Sequence, residues 1–291
     1  MPKVSVIVPV YGHAEYVLDS LESVFAQTYH DFEVIVVNDG SPDESESVLD
    51  GYIQSCKIKY IRQFNAGVAA ARNHGLAVAA GEYIAFLDDD DLWPVDKLQW
   101  QMQQIDTSDA VMVGGTSQNF SGEFFVAPQP YFNEDFKLLS TIDFFRGNPF
   151  ASPGQVLIRK TALHAVGGFN ESIWGVDDLD LWIRLSKIGK ILKYDQVSLF
   201  YRIHNTNASR NLEKMAKNTE LVIRQNLLSL PAEDRVNFER AGYRFLFRCA
   251  GKKLVWAGGR YIIEGRWKEG FALIQYSFSL FKSRFSNDKM L

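Results

Sequence analysis

Apolar runs and amphipathic stretches alternate over the first hundred residues. Short runs rich in Val and Ile are typical of buried parallel strands, and apolar residues three or four positions apart are typical of helices. The pattern predicts the order βαβαβαβ, with strands at 4–10, 32–37, 58–61 and 83–87 and helices starting near 17, 45 and 68. This alternation predicts an α/β fold with a mostly parallel sheet flanked by helices.

The pattern weakens after residue 105. From about 105 to 150, Gly, Ser, Asn and Pro are scattered among phenylalanines, and we expect loops and short strands there. Further predicted elements are a strand at 155–158, a short helix at 161–165, a helix opening at Asp177-Asp178 and an extended segment at 194–203. Beyond Asn205 we expect a helical extension, with breaks at Pro231 and at Gly258-Gly259.

A polar residue follows each of the four predicted strands of the first hundred residues. Tyr11 follows the first strand, Asp39 the second and Asn65 the third, and the run Asp88 to Asp91 follows the fourth. Ligands of open α/β sheets bind beyond the carboxyl ends of the strands. The sequence therefore predicts a ligand site at this edge.

Charge is distributed unevenly along the chain. Residues 1 to 200 hold 14 Lys and Arg against 27 Asp and Glu, whereas residues 201 to 291 hold 17 against 8. The acidic part suits a cation, and the basic tail suits an anionic partner, either a lipid surface or nucleic acid. Alternatively, the apolar groups of the tail simply pack on the rest of the protein.

Composition points to a folded protein of a reducing compartment. Hydrophobic residues make up 46% of the chain, which is enough for a large core, and the two cysteines cannot form a disulfide framework or a four-ligand zinc set. The N-terminus lacks the long apolar region of a signal peptide, and no apolar stretch reaches the length of a membrane span. We therefore expect a cytoplasmic protein.

The aspartate run carries the strongest chemical signal. Four adjacent carboxylates repel one another unless a cation or hydrogen bonds offset the repulsion, and Mg²⁺ or Mn²⁺ needs only one or two of them. The alternative is a solvated acidic turn that caps the following helix.

Other candidates also have two interpretations. Asp39 can accept hydrogen bonds from a ribose or a base, or form only a turn. Arg72 either reaches the same edge or lies on a solvated helix face. Asp177-Asp178 is either a pair in which one carboxylate is a general base, or a helix cap. His204 is either a core histidine or a ligand of metal or phosphate.

Several enzyme classes lack their sequence motifs here. The chain has no GxGxxG after a strand, no GxxxxGK[ST], no HExxH and no GxSxG. These gaps argue against dinucleotide oxidoreductases, P-loop NTPases, zinc proteases and serine hydrolases.

Taken together, six motifs resemble the family 2 glycosyltransferases of the GT-A fold over residues 3 to 205. In chain order, they are VSVIVPVY (4–11), VNDGS (37–41), NAGVAAARN (65–73), FLDDDD (86–91), GGF (167–169) and WGVDD (174–178). The resemblance implies a GT-A-like catalytic domain over 1–205, with a nucleotide-sugar half at about 1–105 and an acceptor half at about 106–205. Residues 206–291 then form a basic helical extension.

The resemblance also implies an activity. The family transfers a sugar, with inversion, from a nucleoside diphosphate donor, usually a UDP-sugar, to an acceptor hydroxyl. The acceptor would be a glycan or a lipid-linked molecule in the synthesis of a bacterial surface polysaccharide. The basic tail would then hold the enzyme on the inner face of the membrane, a role favoured over nucleic-acid binding.

The same resemblance implies roles for individual residues. The general base is Asp178, and Trp174 and Asp177 contact the acceptor, although the family has Glu where this chain has Asp177. Mn²⁺ or Mg²⁺ is bound by Asp90 and His204. The nucleotide contacts fall on Pro9, Tyr11, Asp39, Asn65, Gly67, Arg72, Asp88 and Asp89. The DxD pair of the family is taken as Asp88 and Asp90. Because four aspartates stand in a row, this register stays open.

Two other classes remain as alternatives. A nucleotidyltransferase would share a nucleotide fold and an acidic metal site, but it should carry a Gly-rich basic loop after the first strand, which residues 10–14 lack. A non-catalytic nucleotide or glycan binding module would bind a nucleotide sugar without breaking it down.

Overall fold

The computed structural model describes residues 1–122, 135–205 and 211–283. Its strands are Val4–Val10 (β1), Phe32–Asn38 (β2), Lys59–Arg62 (β3), Tyr83–Phe86 (β4), Ala110–Phe120 (β5), Phe136–Leu139 (β6), Val156–Arg159 (β7) and Lys190–Arg202 (β8). Its α-helices are Val17–Phe25 (α1), Ser45–Gln54 (α2), Val68–Val78 (α3), Lys97–Asp106 (α4), Thr141–Arg146 (α5), Lys160–Val166 (α6), Asp177–Ser186 (α7), Leu212–Leu227 (α8), Ala232–Leu246 (α9), Lys252–Ile263 (α10) and Trp267–Ser283 (α11).

The chain divides into two compact units. The sheet unit comprises Met1–Ser140, Phe150–Glu171 and Arg184–His204. The helical unit comprises Thr141–Pro149, Ser172–Ile183 and Asn205–Leu291. No helix in the described ranges combines the length and the apolar character that a membrane span requires.

All eight strands form one mixed sheet in the order β3-β2-β1-β4-β7-β5-β8-β6. The first four in this order are parallel, β7 is antiparallel to both of its neighbours, β8 is parallel to β5, and β6 is antiparallel to β8. Every residue of β1 is buried, because helices cover both faces of a parallel sheet. The expected α/β fold is confirmed.

The region from 105 to 150 is more regular than the sequence indicated. The expectation of loops and short strands is wrong for β5, an eleven-residue strand inside the sheet. Its two glycines looked like loop residues, but they allow close packing: a Cβ on Gly114 would lie 2.5 Å from the Phe150 ring, and one on Gly115 would lie 2.2 Å from the Gln196 carbonyl oxygen. Residues 123–134 of this region lie outside the described ranges.

The helical extension has only one of its two predicted breaks. Pro231 directly precedes α9 as expected. The break predicted at Gly258-Gly259 is wrong, because both glycines lie within α10. A Cβ on Gly258 would lie 2.6 Å from the Gly270 carbonyl oxygen, so these small residues let α10 and α11 approach closely. The chain turns instead at Gly265, which has a φ of 81°.

One charged side chain is part of the sheet unit's core. Lys97 at the start of α4 is completely buried, its Nζ lies 3.9 Å from the centre of the Trp93 ring, and it donates a hydrogen bond of 3.3 Å to the Val156 carbonyl. Burial lowers the pKa of the Lys97 amine well below its ordinary value, because a charge loses its hydration there.

Candidate functional site

The carboxyl ends of β2, β1 and β4 lie side by side in the sheet. These strands are parallel neighbours, so the residues that follow them meet at one edge. Tyr11 to His13 follow β1, Asp39 follows β2, and the aspartate run follows β4. The predicted edge site therefore has a structural basis in the strand order.

Asp39 binds the loop that leads into α3. Its carboxylate accepts hydrogen bonds of 2.8 Å from Gln63 Nε2 and from the backbone N–H groups of Ala66 and Gly67. The residue is buried, and Gly67 has a φ of 92°, which favours glycine at the start of the helix. Asp39 thus positions the segment that contains Asn65 and Gly67, while its contact with a nucleotide stays a prediction.

Asp88, which is partly exposed, forms an ion pair with the buried Arg72. Arg72 Nη2 lies 2.5 Å from one Asp88 oxygen, and Ser152 donates a hydrogen bond of 3.2 Å to the other. The Arg72 guanidinium also lies 5.2 Å from the centre of the Phe169 ring. Arg72 therefore points at the site edge rather than into solvent. Phe169, the last residue of the GGF motif, packs against its guanidinium.

Asp89 connects the aspartate run to the end of β1. One of its oxygens accepts a hydrogen bond of 2.9 Å from the Tyr11 N–H, and the other lies 2.8 Å from Nδ1 of His13. The hydrogen bond to Asp89 raises the pKa of His13 to about 9, and burial raises the pKa of Asp89 to about 6. Without a bound metal, both groups are therefore charged near neutral pH.

Asp90 lies beside two histidines. His204 Nε2 is 2.7 Å from an Asp90 oxygen, and the rings of His13 and His204 are 5.2 Å apart. One ligand atom from each of His13, Asp90 and His204 lies within 4.8 Å of the others. Two imidazole nitrogens and a carboxylate oxygen are suitable ligands for a divalent transition metal. Burial raises the pKa of Asp90, an effect that a bound cation would oppose.

Asp91 contacts Arg202, at the end of β8. Its buried carboxylate accepts a hydrogen bond of 2.9 Å from the Arg202 N–H, and the Arg202 Nε donates to the Asp90 carbonyl at 2.8 Å. The Arg202 guanidinium lies over the rings of Tyr16 and Phe120, at 4.5 and 4.7 Å from their centres. Arg202 thus fixes the end of β8, two residues before His204, against the aspartate run.

The predicted acceptor residues belong to the helical unit. Asp178 lies in the first turn of α7, where it accepts hydrogen bonds from Asn148 Nδ2 at 2.9 Å and from the Leu179 N–H at 2.7 Å. The Lys214 ammonium lies 3.9 Å from the centre of the Trp174 ring. The backbone N–H of Trp174 donates a hydrogen bond to Asn218 Oδ1. Asp177 and Asp178 are both buried. Their roles as acceptor contact and base remain predictions.

Sequence reasoning missed His13 and Arg202 as site residues. His13 comes two residues after Tyr11 at the same strand end, which is the signal that could have identified it. Arg202 gave no such signal, because its importance depends on the position of β8. Of the predicted nucleotide residues, Pro9 is buried in β1, whereas the Tyr11 side chain is exposed.

Comparison with known proteins identifies the family. Residues 5–167 match the model described as glycosyl transferase family 2, and the chain belongs to this family. An uncharacterised glycosyltransferase of Rickettsia felis is 28% identical over 86% of the chain, and the chain spans 42% of that relative's length.

Two solved structures share the fold. TarS of S. aureus, residues 1–349 in complex with UDP-GlcNAc, has a TM-score of 0.68 at 18% identity, over 94% of this chain and 90% of TarS. The mannosyltransferase PcManGT of Pyrobaculum calidifontis, in complex with GDP-Man and Mn²⁺, has a TM-score of 0.65 at 17% identity, over 99% of this chain and 88% of that one. The expected GT-A-like fold is confirmed.

Proposed function

We propose that the protein is an inverting, metal-dependent glycosyltransferase that moves a sugar from a nucleoside diphosphate, a UDP-sugar, to a hydroxyl of a glycan or lipid-linked acceptor. The observation that carries the proposal is the Arg72–Asp88 pair beside the His13, Asp90 and His204 group at one sheet edge. Family membership and two structures of the same fold, one with UDP-GlcNAc and one with GDP-Man and Mn²⁺, support it.

The side chains at this edge suit a donor with a diphosphate. Asp90 and His204 would hold Mn²⁺ or Mg²⁺, which would supply positive charge to the leaving nucleoside diphosphate. Arg72 and Asp88 orient the nucleotide, and the exposed Tyr11 ring offers a surface on which the base can stack.

The acceptor side of the reaction needs a base. In the proposal, Asp178 removes the proton of the acceptor hydroxyl as that oxygen attacks the anomeric carbon from the face opposite the leaving group. A single displacement inverts the anomeric configuration and requires no covalent sugar intermediate. The hydrogen bond from Asn148 holds the carboxylate in one orientation.

The test is release of nucleoside diphosphate from a panel of nucleotide sugars incubated with acceptor glycans. We expect release from a UDP-sugar, its loss in Asp90→Asn, and parent activity in the control Asp50→Asn, which replaces an exposed carboxylate on α2. Binding without release from any donor would indicate a binding module. Pyrophosphate release from a nucleoside triphosphate and a sugar phosphate would indicate a nucleotidyltransferase.

We also propose that α10 and α11 dock on an anionic lipid surface. Five large apolar side chains of these helices are exposed, by 58% to 88%: Trp256, Ile263, Trp267, Phe271 and Phe278. Tryptophan and other aromatic rings favour the interface between lipid and water. Of these residues, the rings of Trp267 and Phe271 lie next to each other, with 6.5 Å between their centres.

Charge favours lipid as the occupant. Residues 247–283 hold seven Lys or Arg against two acids, Glu264 and Glu269, which pair with Arg260 and Arg266. Lysines with exposed side chains stand on both helices, at 252, 253, 268 and 282. Each contributes about 1 kcal/mol near an anionic membrane. The predicted basic segment also includes 206–210 and 284–291, which lie outside the described residues.

Sedimentation with vesicles tests this docking. The full chain should bind phosphatidylglycerol vesicles but not phosphatidylcholine vesicles, and salt should weaken binding. Trp256→Ser with Trp267→Ser should reduce binding at least about tenfold, since each buried aromatic contributes about 1.5–3 kcal/mol. Phe64→Ser, at an exposed aromatic of the sheet unit, is the control. Equal recovery on both vesicles, or none at low salt, would contradict the docking.

A further inference from the structure

His13 is held in an orientation that suits a metal ligand. Its Nδ1 is engaged by Asp89 at 2.8 Å, so Nε2 is the ring nitrogen that remains for a metal. Histidines that bind metals commonly donate the N–H of the other ring nitrogen to a carboxylate, which fixes the ring and increases its basicity. The His13–Asp89 pair has this arrangement beside Asp90 and His204.

Asp89 is itself fixed in place. Its second oxygen accepts the Tyr11 N–H at 2.9 Å, and the residue is only 5% exposed. Both carboxylate oxygens therefore already have partners on the segment after β1. This leaves Asp89 poorly placed to contact a nucleotide, the role that the family resemblance implied, and well placed to orient His13.

The three ligand atoms are close enough for one ion. They lie within 4.8 Å of one another, whereas two ligands of a tetrahedral first-row ion are about 3.4 Å apart, from bond lengths of about 2.1 Å. The imidazole rings meet edge to face, with an interplanar angle of 75°. Small movements of these side chains would therefore be needed for all three atoms to bind one ion.

We propose that His13 is a third protein ligand of the metal, that Asp89 is the carboxylate that orients it, and that the resulting site selects transition-metal ions over Mg²⁺. This inference rests on the metal site of the proposed function. Imidazole nitrogens favour the softer transition ions, whereas Mg²⁺ prefers oxygen ligands and retains its water. Two imidazoles and one carboxylate therefore bind Co²⁺ or Mn²⁺ more tightly than Mg²⁺.

The test measures metal binding in the full chain without any sugar transfer. Co²⁺ is titrated with and without UDP, and its visible absorption and the heat of binding are recorded. The parent should bind Co²⁺ more tightly than Mg²⁺. His13→Gln should weaken Co²⁺ binding at least tenfold and change the absorption spectrum. Asp89→Asn should weaken it about 10- to 100-fold, the usual effect of losing such a partner.

Controls separate a ligand role from a structural one. His30→Gln replaces an exposed histidine and should bind Co²⁺ like the parent. Thermal unfolding of each variant shows whether the fold is retained. If His13→Gln does not fold, Asp89→Asn, whose side chain has nearly the same shape as the parent's, provides the test. Parent-like Co²⁺ affinity and spectrum in folded His13→Gln would overturn the inference, as would a variant that loses only UDP affinity.

The inference and the proposed function can fail separately. If His13→Gln loses Co²⁺ but the parent transfers no sugar, the ligand assignment stands and the enzymatic proposal fails. If the parent transfers sugar and His13→Gln binds Co²⁺ normally, the ligand assignment fails. A parent that binds none of Co²⁺, Mn²⁺ and Mg²⁺, even with UDP, also overturns it.

Discussion

Removing the Asp39 carboxylate should destabilise the protein and weaken nucleotide binding together. In Asp39→Ala, three donors lose their acceptor: Gln63 Nε2 and the N–H groups of Ala66 and Gly67, each bonded at 2.8 Å. Hydrogen bonds to a charged group contribute about 1.5–3 kcal/mol each. The donors belong to a partly exposed loop, so water replaces part of this interaction. We expect the free energy of unfolding to fall by about 2–4 kcal/mol.

Urea unfolding followed by tryptophan fluorescence measures the change, and UDP titration measures the affinity. Asp50→Ala, at an exposed carboxylate, is the control and should change the free energy of unfolding by less than about 0.5 kcal/mol. A loss below about 0.5 kcal/mol in Asp39→Ala would refute the view that this carboxylate holds the loop. Unchanged UDP affinity in the folded variant would refute the role of the loop in nucleotide binding.

Three further predictions address the metal, the base and the core. Chelation of divalent ions with EDTA should abolish turnover, and added Mn²⁺ should restore it; full activity in excess EDTA would contradict the metal site. Asp178→Asn should keep UDP affinity but lose at least about a hundredfold in turnover, as expected for a lost general base; turnover within a fewfold of the parent would move the base to Asp177. Lys97→Met should raise the free energy of unfolding at neutral pH, because burial lowers the pKa of Lys97 well below its ordinary value and methionine carries no proton to lose on folding. In the unfolded protein Lys97 keeps its proton up to a pH of about 10.5, whereas in the folded protein it loses the proton at a lower pH. The free energy of unfolding of the parent should therefore rise with pH between the folded and the unfolded pKa. Denaturation of Lys97→Met at the same pH values should show no such rise.

The parallel half of the sheet was predictable because its signals are local. Strands β1, β2 and β4 are mostly apolar runs, helices separate the four strands β1 to β4, and parallel neighbours necessarily end at one edge. The positions of Tyr11, Asp39 and the aspartate run followed from that rule alone. Pairing Asp90 with His204, the proposed metal ligands, required the family resemblance, since 114 residues separate them and no local pattern connects them.

The parts that sequence reasoning missed depend on tertiary packing. Gly114 and Gly258 stand where a neighbour comes too close for a Cβ, so glycine there is not a sign of a break. His13 and Arg202 matter because β1, β4 and β8 bring them to the aspartate run. Propensity and spacing along the chain reveal neither the glycine contacts nor the role of Arg202, whereas His13 could have been identified from its place two residues after Tyr11.

Anomalous diffraction from crystals grown with UDP and Mn²⁺ tests the central claim most directly. The claim is that the edge formed by β2, β1 and β4 binds a nucleoside diphosphate together with a metal ion. We predict a manganese peak in contact with Asp90 and His204, with the diphosphate on its open side and Arg72 beside the nucleotide. A manganese ion or a UDP molecule bound elsewhere at saturating concentrations, with this edge free of both, would contradict the claim.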